Sequence, residues 1–310
     1  MRILLAALLM LALAPPQPSR PRILGLSHIG VFVSDLARAR VFYTDLLGFD
    51  EAFTLPGAGG PVDAAFVKIN DRQWIELLNR PTDGNGQLDH VALYTDSAEG
   101  MRAYLGSRGI AVPERIVTAP DGNRTFRVKD PDGHTIEFVE YVADSLTGRD
   151  AGRHLPASRL SSQAIHAGIL VGDLSRANAF YADVLGFTEF WRGNSLKSQS
   201  LSWVNMRVPD GTDYLEFMLY ESIPAPASRG SAHHLCLVVP DVERALAAFE
   251  SRPSRAAYTR ELRINTGVNR KRQLNLFDPD GTRVELMEPD TVDGKPAPSS
   301  TLAPPRGGAH

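Results

Sequence analysis

Cysteine is almost absent from this chain, with Cys236 the only one among 310 residues. That excludes an intrachain disulfide and any metal site built from several thiolates. Cys236 stands in the apolar run Leu235–Val239 and reads as a small buried side chain rather than a nucleophile. A basic block is missing too. The densest group is Arg270-Lys271-Arg272 and the formal net charge is −3, so nucleic acid as a partner has no electrostatic support. Long apolar runs are also lacking. Ile3–Ala14, behind Arg2 and ahead of Pro15-Pro16-Gln17-Pro18, is shorter than the roughly 20 residues that span a bilayer. It reads as an export signal over residues 1–20, with Pro15 an awkward neighbour for cleavage after Ala14. The expected location is periplasmic or extracellular, with no stable membrane span after signal removal. At the other end, residues 289–310 are rich in Pro, Gly, Ser and Ala, a composition that predicts a disordered tail.

What is present is an ordinary globular composition, 43% hydrophobic and 22% charged, in a length of about two domains. The dominant pattern is repetition. Asp35-Leu-Ala-Arg-Ala-Arg-Val-Phe-Tyr-Thr-Asp-Leu-Leu-Gly-Phe49 returns as Asp173-Leu-Ser-Arg-Ala-Asn-Ala-Phe-Tyr-Ala-Asp-Val-Leu-Gly-Phe187. Asp130-Pro-Asp-Gly133 likewise returns as Asp278-Pro-Asp-Gly281, each opening a strand that carries a Glu. Each half divides again. Four apolar strands begin with His28, His90, His166 and His234, each followed by an Asp (Asp35, Asp96, Asp173, Asp241) suited to cap a helix. Helical spacing follows, as in Leu36, Ala39, Phe42, Tyr43 and Leu46, or Val242, Ala245, Leu246 and Phe249. Gly48, Gly109 and Gly186 stand where helices would stop.

Each segment closes on short β-like runs, the last of which holds Glu76, Glu137, Glu216 or Glu285 between apolar neighbours. The unit is therefore βαβββ, repeated four times, in an α+β chain. A first domain is expected over 23–142 and a second over 163–288, each of two modules, with a polar linker at 143–162.

The His-to-Glu separations within the modules are 48, 47, 50 and 51 residues. A strand alternates faces, so each Glu points away from its apolar neighbours. A carboxylate buried there needs a partner or a metal, because a lone buried charge is very costly. Four recurrences in register favour at least one metal site over coincidence.

With these motifs in place, the chain resembles the vicinal oxygen chelate superfamily, which includes glyoxalase I, extradiol dioxygenases and bleomycin-binding proteins. The resemblance spans about Leu26 to Glu288 and rests on the strand-start His, the F-Y-x-D-x-L-G-F helix end and the D-P-D-G-x-x-x-E hairpin. It implies two tandem cup-shaped open β-barrels, each formed by two modules with a metal in the cup. It also implies two tetrads of ligands, His28, Glu76, His90 and Glu137, then His166, Glu216, His234 and Glu285. The ion would be divalent zinc, nickel, iron or manganese. Glu137 or Glu285 would carry the proton in isomerase or lyase chemistry on a small molecule with vicinal oxygens. Modules could pair as first with second and third with fourth, or as first with fourth and second with third. Either cup or both could be active, in a monomer or a homodimer.

A second implied reading is an extradiol-type ring-cleaving dioxygenase using His166, His234 and Glu285. It departs from that group's pattern at Asn275, where a Tyr is expected, and in lacking a His between His234 and Glu285. A third is a metal-free small-molecule binding protein, whose relatives typically lack the ligands present here.

Overall fold

A computed structural model describes residues 18–57, 62–82, 84 and 86–305. Most of the expected export signal over residues 1–20 lies outside the described residues. Among the described residues no helix is long and apolar enough to cross a membrane.

The first domain is built from β1 (Ile23–Phe32), β2 (Asp50–Pro56), β3 (Val62–Asn70), β4 (Gln73–Leu78), β5 (Leu88–Thr95), β6 (Val117–Thr118), β7 (Arg124–Lys129) and β8 (Thr135–Glu140). They form one curled sheet in the order β2-β3-β4-β1-β5-β8-β7-β6. The second domain repeats it with β9 (Ala164–Val171), β10 (Thr188–Gly193), β11 (Trp203–Arg207), β12 (Tyr214–Leu219), β13 (His234–Val238), β14 (Ile264–Thr266), β15 (Arg272–Phe277) and β16 (Arg283–Met287). Their order is β10-β11-β12-β9-β13-β16-β15-β14. In each sheet the two first strands of adjacent modules pair antiparallel at the centre, β1 with β5 and β9 with β13. Modules therefore pair first with second and third with fourth, which settles the alternative the sequence left open.

Alternation along the central strands sorts the side chains. Ile29 and Val31 join a large apolar core that also takes in the helices of both domains. His28, Gly30 and Phe32 face the opposite way into the cup, where Phe32 packs with Ala64, Phe66, Trp74 and Leu78 in a separate cluster. Three of the four expected caps form. Asp35, Asp173 and Asp241 accept backbone N–H bonds at the starts of α1 (Leu36–Arg40), α4 (Leu174–Asn178) and α5 (Val242–Glu250). Asp96 does not cap. Ser97 caps α2 (Ala98–Ser107) instead, and Asp96 takes up the Arg22 guanidinium and backbone N–H.

Both F-Y-x-D segments leave the α-helix. α1 widens into a π-helical turn over Val41–Leu46, and α4 into another over Ala179–Val184. The wider turn turns adjacent aromatics inward together: Phe42 and Tyr43 are both buried and edge-to-face at 4.9 Å. Gly48 and Gly186 close these turns at φ 77° and 81°, the left-handed region that Gly enters at no steric cost.

The tyrosines reach across to the other domain. The Tyr43 hydroxyl donates to Asp278 at 3.1 Å and that of Tyr181 to Asp130 at 2.9 Å. His134 and His233 add a cross-domain contact, with their Nε2 atoms 3.2 Å apart. Near the central strands, Asp213 accepts from the Leu26 backbone N–H and from Gln73.

Two segments expected to be irregular are tied down. Within the 143–162 linker, α3 (Leu146–Arg149) is followed by Asp150, whose carboxylate takes the fully buried Lys68 ammonium at 2.8 Å. The expected disordered tail is corrected over part of its length. Pro298 accepts from the Trp191 indole, Ser300 donates to the Arg192 carbonyl, and Leu201 donates to Ala303. β10 is the outermost strand of its sheet, so its unpaired backbone groups hold a segment that has no core of its own.

Candidate metal centres

In the first cup the four residues of the first tetrad come together from β1, β4, β5 and β8. Register places them: Gly30 of β1 lies beside Glu76 on one side and His90 on the other. The Nε2 atoms of His28 and His90 are 2.8 Å apart. Glu76 Oε2 lies 3.5 Å from His28 and 3.2 Å from His90, and Glu137 Oε2 lies 4.0 and 3.3 Å from the same atoms. The outer nitrogens are engaged as well. His28 Nδ1 is 3.0 Å from Ser27 Oγ, itself 2.7 Å from the Tyr141 hydroxyl, and His90 Nδ1 is 2.6 Å from Asp89. Such outer partners orient an imidazole and fix which nitrogen faces inward. Arg127, directly opposite Glu137 in the ladder, donates to its Oε2 from Nε at 2.9 Å, and Thr125 donates to Oε1.

The second cup repeats the arrangement from β9, β12, β13 and β16. His166 and His234 meet at 3.0 Å between Nε2 atoms. Glu216 lies 3.9 and 3.4 Å from them, and Glu285 3.7 and 3.6 Å. Its surroundings differ. Arg283, at the place held by Thr135 in the first cup, reaches His234 Nδ1 and Nε2 at 2.7 and 2.8 Å. His166 Nδ1 has no hydrogen-bond partner among the described residues.

Electrostatics follow from these neighbours. Burial alone would lower His90, but Asp89, Glu76 and Glu137 outweigh it and push it up to about 9. Burial would likewise raise Glu76, yet bonds to His28 and His90 hold it well below the usual carboxylate range. In the second cup burial prevails. It brings His166 down to about 3, and with Arg283 beside it His234 is lowered too. Glu285 is raised, by burial and by Glu216 close by.

Both donor sets fit a divalent ion. Two imidazoles and two carboxylates suit zinc or a first-row metal, and their ligand atoms cluster within a few ångströms. The backbone makes room for the rings. A Cβ on Gly30 would lie inside the His90 imidazole, and one on Gly168 inside that of His234. The first cup also opens on a cavity of about 80 Å³, bordered by Leu55, Phe66, Pro120, Asn123 and Val139.

The pattern of the Glyoxalase/Bleomycin resistance protein/Dioxygenase superfamily matches residues 25–138 and 163–286. The chain belongs to that superfamily. YwbC, an uncharacterized protein of Bacillus subtilis, is 30% identical over 127 residues, covering 37% of this chain and 96% of its own length. The Mn(II)-bound glyoxalase from Novosphingobium aromaticivorans superposes with a TM-score of 0.64 at 20% identity, over 92% of this chain and 88% of that one. Homoprotocatechuate 2,3-dioxygenase from Arthrobacter globiformis superposes with a TM-score of 0.63 at 21% identity, over 93% and 87%. At these identities the two structures share the fold with this chain.

The repeats point to the candidate tetrads that converge here, and not to the residues around them. Asp89, Thr125, Arg127 and Arg283 were not singled out. A signal was available for two: Thr125 and Arg127 alternate on the strand before Asp130-Pro-Asp-Gly133, hence on one face.

Proposed function

We propose that this chain is a metal-dependent isomerase or lyase of the superfamily, and that the first cup is its working centre. The carrying observation is that Glu76 and Glu137 each place a carboxylate oxygen within 4.0 Å of the His28 and His90 Nε2 atoms, themselves 2.8 Å apart, at the edge of a cavity. His28, Glu76, His90 and Glu137 hold the ion. When bound, it supplies Lewis-acid polarisation to a small molecule with vicinal oxygens.

The chain's own residues do the rest. Glu137 takes the proton from the carbon beside the carbonyl and returns it to the neighbouring carbon, acting as base and then as acid. Thr125 and Arg127 hold its two oxygens, and Arg127, with a side chain 47% exposed, is the partner free to swing away. Leu55, Phe66, Pro120 and Val139 wall the cavity with apolar surface, limiting loss of the proton to water. The apolar run behind Arg2 supports export, and an exported chain would meet a substrate outside the cytosol, away from glutathione conjugates.

The second cup supports another reading. His166, His234 and Glu285 form a two-imidazole, one-carboxylate set with separations of 3.0–3.7 Å, as a ring-cleaving iron centre requires. Asn275 lies opposite Glu285 in the ladder, so an acid/base group would have to come from elsewhere.

Metal analysis of the gently purified, re-loaded chain is the decisive experiment, joined to oxygen uptake with catechols and a mass-spectrometric screen of substrate pools. One to two ions per chain with substrate conversion and no oxygen uptake is expected. Oxygen consumption with catechols would move the assignment to the dioxygenase reading. Absence of bound metal would end both and leave a binding protein.

A further inference from the structure

Among the differences between the two cups, one puts a sulfur beside the candidate ligands. Cys236 pairs across the ladder with His166 on one side and Glu285 on the other. In the first cup that place, between His28 and Glu137, belongs to Ala92. The Cys236 sulfur, a His166 nitrogen and a Glu285 carboxylate oxygen all lie within 4.8 Å of one another, on three buried residues.

Two buried groups of this cup lack hydrogen-bond partners among the described residues. His166, 1% exposed, leaves Nδ1 without a hydrogen bond, whereas His28 has Ser27 in the first cup. Asn205, 5% exposed and directly opposite Glu216 on β11, leaves Oδ1 without one as well. Phe66 holds that place in the first cup and asks for no partner.

We infer that the second cup binds a thiophilic divalent ion through the Cys236 thiolate together with His166 and Glu285, so that the two cups of one chain select different metals. This rests on the reading of the cups as metal centres. Coordination forms one sulfur–metal bond, the thiol proton passes to solvent, and no electrons change hands. Charge balance favours it. Lys271, which also acts on His166 and Cys236, has Asp290 to answer its charge; a divalent ion with the Arg283 guanidinium beside it then brings three positive charges, which Glu216, Glu285 and a thiolate cancel. Without the thiolate one positive charge stays unmatched in a buried site, a costly arrangement. In the first cup two carboxylates balance the ion alone, and Arg127 has Asp89 at 3.4 Å to answer its charge. Soft thiolate donors favour zinc or cobalt over manganese or magnesium, while the first cup offers only nitrogen and oxygen.

Cobalt(II) titrated into the metal-free full-length chain tests this, because a thiolate ligand adds a near-ultraviolet charge-transfer absorption that nitrogen and oxygen ligands do not. Two ions are expected to bind, one of them bringing that band. Cys236→Ala places the first cup's own residue at that position. It should abolish the band and keep the first cup's visible cobalt absorption, whereas His28→Ala should weaken the latter and leave the band. Binding of cobalt without the band, or a band that survives Cys236→Ala, overturns the inference and leaves the proposed function standing. Cobalt bound to the first cup alone does the same. Failure of both cups to bind cobalt overturns the inference and the proposed function together.

Discussion

At the residue scale the division of labour around Glu137 is open to direct test. Its carboxylate touches both a ligand cluster and two fixed donors, so Glu137→Gln keeps the shape while removing the base. Turnover should fall about 10²- to 10⁴-fold with first-cup metal largely retained, read by steady-state kinetics and metal stoichiometry on one sample. Undiminished turnover in this variant would exclude Glu137 as the proton carrier. Glycine at position 30 carries a separate expectation. A methyl there would occupy the His90 ring's space, so Gly30→Ala should empty the first cup and spare the second, and Gly168→Ala should do the reverse. Equilibrium dialysis against one metal would register each loss as one ion fewer per chain. The eight candidate ligands were legible in the sequence because a His and a Glu recur at matched intervals in segments that otherwise diverge. Cys236 was legible as buried but not as a neighbour of the candidate ligands, because its place depends on pairing with His166 and with Glu285, both far from it in sequence, rather than on its own apolar run.

At the scale of elements, the two Asp-Pro-Asp-Gly hairpins look equivalent in sequence and titrate differently. Asp130 and Asp278 each accept the backbone N–H two and four residues on, and each takes a tyrosine hydroxyl from the other domain. Burial pushes both up. At Asp130 the His134 ring, 2.9 Å away, reverses this and lowers it below the ordinary value. At Asp278 the corresponding residue is Thr282, burial prevails, and the carboxyl is raised from 3.8 to about 6. The native state therefore prefers the protonated acid. That contribution is fully present below pH ~4 and lost as pH rises through about 6, on the order of 3 kcal/mol at about 1.4 kcal/mol per pKa unit. Asp278→Asn keeps a carbonyl for the backbone donors and cannot ionise. Relative to the wild-type chain it should gain stability between pH 4 and 7, measured as the difference in urea midpoints. A constant difference across that interval would refute it. Elements themselves were largely readable from capping residues and period. The failures have local causes: Ser97 starts α2 because Asp96 is engaged by Arg22, and the tail is ordered by β10 rather than by its own composition.

At the scale of the molecule, sheets and side-chain contacts follow different pairings. Ladders join neighbouring modules, while Tyr43 of the first module bonds to the fourth and Tyr181 of the third bonds to the second. Neither pairing was decidable from the repeats, since both use the same motifs. Replacing either tyrosine by Phe leaves a buried carboxylate one donor short, at a cost of about 1–3 kcal/mol. Because one apolar core runs through both domains, Tyr43→Phe should lower the midpoint of a single cooperative unfolding transition. Two separated transitions in the wild-type chain would show that the domains melt independently.

The reciprocal tyrosine contacts have a further consequence. Each half presents a donor and an acceptor for its counterpart, the self-matching pattern of a twofold dimer whose subunits have been fused. Fusion through residues 143–162 makes the encounter intramolecular, at an effective concentration in the millimolar range for a short tether. An interface too weak to hold two free chains together at cellular abundance then suffices within one. Substitutions that loosen this face are thereby buffered for as long as the peptide bonds between the halves stay intact, and a single proteolytic cut in that segment would expose the whole accumulated deficit at once.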